Sequence, residues 1–171
     1  LFVLTLLSCR NQTNSQVQQP LRVGAQQTET YLPILKNKNV GILANQTSVI
    51  FKEDGYTHLV DSLLSLNIAV KKVFAPEHGF RGLADAGEYV KDGIDSESGV
   101  PIVSLYGTNK KPDAKTLNGL DVVIFDVQDV GARFYTFLST LHYIMETCAE
   151  LGIMVLVLDR PNPNGHYVDG P

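Results

Sequence analysis

A glutamate and a histidine stand side by side in "PEHGFRG" (Pro76 to Gly82), and Arg81 follows within the same loop. Glu77 leaves an apolar run, fenced by Pro76 and Phe80. Partial desolvation there favours the neutral form of a carboxyl, which suits a group that must give and take a proton. The plain alternative is a loop carboxylate that pairs with Arg81 or caps a turn. Four further stretches are candidates to meet the same place: "NQTS" (45–48), "GTNKK" (107–111), "QDVGARFYT" (128–136) and "RPNPNG" (160–165). Most of these are dense in amides, acids and arginines. Such a set recognises hydroxyls, acetamido groups and carboxylates, which describes a sugar site, and paired carboxylates are the apparatus of most glycosidases. Other chemistries lack their signatures. No G-x-G-x-x-G follows a strand, and the chain has no phosphate-binding G-x-x-x-x-G-K-[ST] and no G-x-S-x-G elbow. Histidines and cysteines are not spaced for zinc; no metal and no cofactor is implied, although carboxylates near Asp126 could hold an ion adventitiously.

The elements that would position these loops are legible as changes of hydrophobic period. "VGILA" (40–44), "AVKKVFA" (69–75), "PIVSLY" (101–106), "DVVIFDV" (121–127) and "IMVLVLD" (153–159) are short, rich in Val and Ile, and fit buried strands. Helical spacing runs through Tyr31, Leu32 and Leu35, and again through Leu59, Val60, Leu63 and Leu64 behind Thr57 as a cap. It returns briefly in "PDAKTLNG" and at length from Phe134 to Leu151, where Phe134, Phe137, Leu138, Leu141, Ile144, Met145 and Cys148 form one stripe closed by Gly152. Alternation of this kind predicts an α/β fold, Rossmann-like, with a mostly parallel sheet and flanking helices. In a parallel sheet, the loops at the C-terminal ends of the strands share one edge, and ligands bind there. The connection between residues 75 and 101 is a long glycine-rich loop, expected to be functional or mobile.

With 171 residues, 44% apolar and 19% charged, the chain is long enough for one domain with a core. A net charge of −4 argues against nucleic acid, whose phosphates require a basic excess. "LFVLTLLSC" reads as the end of a secretory signal, and Leu-Leu-Ser-Cys resembles a bacterial lipobox with Cys9 as the lipidated residue; a chance cysteine after a signal peptide is the alternative. Residues 1–22 are therefore expected to be signal end and polar tether, and 23–171 a Rossmann-like domain of a longer protein, which the resemblance given next implies to be its N-terminal catalytic domain. The expected location is periplasmic or outer-membrane associated, with membrane attachment through the lipid. Cys148 is the other cysteine and reads as a small buried apolar residue, so no disulfide framework is expected.

Taken together, "ANQTS", "FAPEHGFRG", "DVQDVGARFYT" and "LDRPNPNG", in this order, resemble the N-terminal portion of the NamZ-type exo-β-N-acetylmuramidases, over about Val23 to Pro171. The resemblance implies a smaller C-terminal domain after this one, an active cleft between the two, and release of N-acetylmuramic acid from the non-reducing end of peptidoglycan fragments. Under it, Glu77 is the general acid/base. Asp126 is the second catalytic candidate, with Gln128 on the same face at the end of its strand, while Asp129 reads as a cap for the helix near Phe134. Arg81 and Arg133 are candidates for the lactyl carboxylate, since a guanidinium matches it bidentately; either can instead pair with Asp126 or Asp129. His78 either orients substrate and tunes Glu77 or makes a structural hydrogen bond. Tyr135 stacks on a sugar or packs in the core. Asn45 and Gln46 are candidates for the acetamido group, and Asp159, Arg160 and Asn162 for further substrate contacts, though all five also suit turns. Glu88, in the long loop, is an alternative second acid. A sugar- or muropeptide-binding lipoprotein without activity is the competing reading, and an α/β hydrolase or transferase of another class a third. The sequence leaves the oligomeric state, and the choice between retaining, inverting and acetamido-assisted chemistry, open.

Overall fold

The predicted strands at 40–44 and 121–127 are apolar on both faces, so helices must cover both sides of the sheet that contains them. A computed structural model, describing residues 21–82 and 91–170, shows how. A 3₁₀ turn (Gly24–Gln26) leads into α1 (Thr28–Leu35), β1 (Asn39–Ala44), a hairpin of β2 (Val49–Lys52) and β3 (Gly55–His58), and α2 (Leu59–Ser65). Then come β4 (Ala69–Ala75), β5 (Gly93–Ile94), β6 (Pro101–Ser104), α3 (Ala114–Leu117), β7 (Val122–Asp126), α4 (Phe137–Leu151) and β8 (Met154–Val157). The six-stranded sheet has the order β5-β6-β4-β1-β7-β8. All neighbours are parallel except β5, which lies antiparallel on the edge of β6. Ile42 in the central β1 sits level with Val73 of β4 and Ile124 of β7.

Strand alternation divides the core in two. Val40, Ile42, Val73 and Ile124 pack on one face with Leu35 of α1 and Leu59 and Leu63 of α2. Leu43, Phe74, Val123 and Phe125 pack on the other with Leu117 of α3 and Ile144 and Cys148 of α4. Cys148 is buried and free, and burial pushes its thiol up to about 11. The expected α/β sheet is thus present.

Several local expectations need correction. α4 starts at Phe137, three residues late, because Ala132 to Tyr135 form a turn closed by the Tyr135 N–H on the Ala132 carbonyl at 3.0 Å; Phe134, Leu138 and Met145 of the expected stripe are exposed. The helix does end at Gly152, at φ 69°, where the Ile153 N–H reaches back to the Cys148 carbonyl at 2.9 Å, a left-handed cap that glycine accepts without strain. The cap of α2 is His58 rather than Thr57: its Nδ1 accepts the Val60 N–H at 3.3 Å. The hairpin and β5 were not expected. Cys9 and Glu88 lie outside the described residues. Among the described residues no helix is long and apolar enough to cross a membrane.

Candidate functional site

Strands β1, β4 and β7 run parallel and end at Ala44, Ala75 and Asp126, so the loops after them gather at one edge of the sheet. Pro76 to Gly79 form a turn closed by the Gly79 N–H on the Pro76 carbonyl at 3.0 Å. His78 takes its third position at φ 70°, where glycine is the usual occupant, and Gly79 follows at φ 78°. This turn presents Glu77 to two other segments. The Tyr106 hydroxyl, just past β6, donates to Oε1 at 3.1 Å, and the Thr136 hydroxyl, just before α4, donates to Oε2 at 3.1 Å. A pocket of about 270 Å³ opens beside the carboxylate, lined by His78, Phe134, Tyr135, Thr136 and Phe137. Tyr135 stands between Phe134 and Phe137, at centroid distances of 5.4 and 5.8 Å. The wall beside Glu77 is therefore aromatic, the kind of surface on which the C–H face of a pyranose can lie.

The other predicted residues divide into scaffold and rim. Asp126 is fully buried, and both its oxygens are held by Arg160, through Nε at 2.6 Å and a terminal nitrogen at 2.9 Å. The same terminal nitrogen also donates to the Val49 carbonyl at 3.0 Å, tying the hairpin down. Burial pushes the Asp126 carboxyl above its ordinary value, and the guanidinium pulls the opposite way. With no exposed oxygen, Asp126 cannot act as the second catalytic carboxylate; it and Arg160 form a structural pair beneath the loops.

Arg81 is likewise committed. Its guanidinium donates to Asp95 at 2.9 and 2.7 Å and to Asp61 at 3.1 and 3.0 Å, lies 3.3 Å from Glu97, and stacks on Phe80 at 4.7 Å. Those partners are not the Asp126 or Asp129 considered from the sequence. The bonds from Arg81 hold the Asp95 carboxyl far below the usual carboxylate range, and Asp95 and Asp61 raise the Arg81 pKa in turn. The cluster anchors the loop that carries Glu77 to α2 and to the segment after β5.

Asn45 is buried; its Oδ1 accepts the Thr47 N–H and hydroxyl at 2.9 and 2.6 Å, and its Nδ2 has no hydrogen-bond partner among the described residues. The Thr47 hydroxyl in turn accepts the Gln128 N–H at 3.0 Å, and the Ser48 hydroxyl donates to the Asp126 carbonyl. These bonds lock the loop after β1 to the loop after β7. Gln128 spends its side-chain N–H groups on the Asp129 and Pro161 carbonyls at 2.6 and 2.9 Å. Asp129 accepts the Gly131 N–H at 3.0 Å and so caps a turn, not α4. Gln46, Arg133, Tyr135, Asp159 and Asn162 are exposed. Gln46 lies over Gly82, Asp159 accepts the Arg160 N–H at 2.9 Å, and Asn162 accepts the Asn164 N–H at 2.9 Å. Among the described residues no cluster of three metal-ligating side chains exists. Tyr106 and Thr136 were missed in the sequence: their only signal was a place at a strand or helix end bordering the polar edge.

A mostly parallel α/β sheet, with an acid held by two hydroxyls beside an aromatic-walled pocket at its C-terminal edge, defines a Rossmann-like protein with a candidate site on that edge. The chain belongs to the family described as "Exo-beta-N-acetylmuramidase NamZ, N-terminal", which matches residues 40–171. A curated relative, the peptidoglycan beta-N-acetylmuramidase NamZ of Bacillus subtilis (strain 168), is 44% identical over 143 residues, covering 82% of this chain and 34% of the relative. Two crystal structures of DUF1343 family proteins from Bacteroides fragilis NCTC 9343 superpose with TM-scores of 0.72. One is 47% identical, covering 88% of this chain and 37% of its own; the other is 35% identical, covering 83% and 35%. The chain thus spans about a third of the length of the relatives it matches.

Proposed function

We propose that this chain is the N-terminal, catalytic-acid-bearing part of an exo-acting β-N-acetylmuramidase that releases N-acetylmuramic acid from the non-reducing end of peptidoglycan fragments. The observation that carries this reading is Glu77, fixed by two hydroxyls at the mouth of a pocket walled by Phe134, Tyr135 and Phe137. The 44% identity to a peptidoglycan beta-N-acetylmuramidase supports the substrate class. Glu77 gives its proton to the glycosidic oxygen as the bond to the anomeric carbon breaks. Water then takes the anomeric carbon, either directly with its proton passing to a second carboxylate, or after that carboxylate or the substrate's own acetamido group has bonded the carbon, with the proton passing to Glu77. With Asp126 occupied by Arg160, the remaining candidates for a second carboxylate are Asp129 beside the same strand end, Glu88 of the long loop, and the C-terminal domain that the family resemblance implies. Tyr135 and His78 border the sugar, and Arg133, exposed on the rim, is the guanidinium that would meet its lactyl carboxylate. Export as a lipoprotein through Cys9 would bring the enzyme to this substrate.

The test uses the full-length protein with chromogenic N-acetylmuramic acid and N-acetylglucosamine glycosides. Turnover of the muramic compound is expected, and Glu77→Gln is expected to lower kcat by about 10²- to 10⁴-fold while affinity persists. Release from the glucosamine compound alone overturns the specificity. No turnover by the intact protein, with saccharide binding retained, establishes the sugar-binding lipoprotein instead.

A further inference from the structure

Resting on that assignment of Glu77, we infer that Tyr106 and Thr136 are positioning residues that keep the Glu77 carboxyl in one place in both of its protonation states. Each hydroxyl holds a different oxygen at 3.1 Å, and they approach from separate segments, after β6 and before α4. A hydroxyl both donates and accepts. When Glu77 is ionised, both donate to it; when Glu77 carries the proton, its own O–H donates to one of them, which turns to accept. A guanidinium or ammonium group in either place could only donate, and would hold the acid in its charged form.

The surroundings keep that exchange free of a competing cation. The cation carried by the same loop, Arg81, is turned into Asp61, Asp95 and Glu97. Among the described residues, no salt bridge reaches Glu77. Among the described residues, the titratable groups beside it are His78 from its own turn, Tyr135 from the segment before α4, and Tyr106 itself. The Tyr106 phenol is in turn held above its ordinary value, chiefly by its hydrogen bond to Glu77. An acid/base must lose and regain its proton without losing aim, because displacement by about 1 Å can cost 10²-fold in rate.

Steady-state kinetics on the full-length enzyme test this with Tyr106→Phe, Thr136→Val and Thr136→Ser. The first two are expected to lower kcat by about 10- to 100-fold with KM changed less than about threefold, and the serine variant to stay near wild type. A loss that falls on KM alone, or an unchanged kcat in both Phe and Val variants, overturns the assignment. Thermal melting identifies any variant that fails to fold. Independently of turnover, NMR of ¹³C-labelled tyrosine is expected to show Tyr106 ionising at lower pH in Glu77→Gln than in wild type; equal titrations overturn the contact. Full turnover by Glu77→Gln would instead remove Glu77 from the chemistry while the tyrosine titration still reported the hydrogen bond, so the two failures are separable.

Discussion

Arg160 grips both oxygens of Asp126 at 2.6 and 2.9 Å, in a pair with almost no solvent contact, and so joins the end of β7 to the loop after β8. The pair lies under the loops that frame Glu77 rather than among the groups that face the pocket. Removing one partner strands the other charge in the interior. Arg160→Met or Asp126→Leu alone should therefore cost about 3–5 kcal/mol, whereas the double substitution should recover much of that loss. Denaturant unfolding of the three variants measures it. Equal losses in the single and double variants would show that the charges do not compensate one another.

Gly131 meets Asn162 where the loops after β7 and β8 touch. Gly131 lies at φ 68°, and a Cβ there would run into the amide of the Asn162 side chain. Gly131→Ala brings left-handed strain, while the exposed Asn162 amide can swing aside at small cost, so the variant should destabilise by about 1–2 kcal/mol, chiefly through the backbone. Pairing it with Asn162→Ala should return the small steric share and leave the backbone share. Thermal unfolding of the single and double variants separates the two.

His58 makes stability depend on pH. Its Nδ1 accepts the Val60 N–H, so Nε2 carries the proton donated to the Asn45 carbonyl at 3.0 Å. Burial, the largest cause, lowers its pKa from 6.5; Arg81 lowers it further, while the bond to the Asn45 carbonyl and the charges of Asp61 and Asp95 oppose. The unfolded chain then binds the proton more readily than the native one. Stability should be full above about pH 6.5 and fall as the pH drops toward the folded pKa, by about 1.4 kcal/mol for each unit of separation. Melting temperatures between pH 7.5 and 5 should show the fall, and His58→Gln, which offers an acceptor and a donor without titrating, should reduce it.

How far the sequence alone reached depended on whether the signal was local. The run Ala69 to Ala75 needs no distant partner to declare itself a strand, and it is one from end to end. Gly152 announced a helix end by its chemistry. The β2–β3 hairpin turns on Glu53 and Asp54, with Gly55 opening the second strand, and its strands are short and largely exposed, so they lack the apolar run that marks the strands of the main sheet. The site was different. That Glu77 belongs at the ligand-binding edge follows from topology. That Arg160, 34 residues from Asp126, claims that carboxylate does not. Nor does the capture of Arg81 by Asp61 and Asp95, 20 and 14 residues away. Charged side chains choose partners by three-dimensional proximity, and residue type leaves that choice open.

His78 gives the sharpest separation of function from stability. At φ 70° it holds a left-handed conformation that costs a bulky residue about 1–3 kcal/mol and costs glycine none. Its side chain lines the pocket beside Glu77. Glycine brings its own penalty, about 0.5–1 kcal/mol of extra chain entropy in the unfolded state. The two effects oppose, and strain relief is the larger or equal. His78→Gly should therefore leave stability unchanged or raise it by up to about 2.5 kcal/mol, while turnover of the muramic glycoside by the full-length enzyme falls. Melting and kcat/KM are measured on the same preparation. A variant that loses stability and keeps its activity would mean that the imidazole is held for packing and that the turn bears its strain for structure alone.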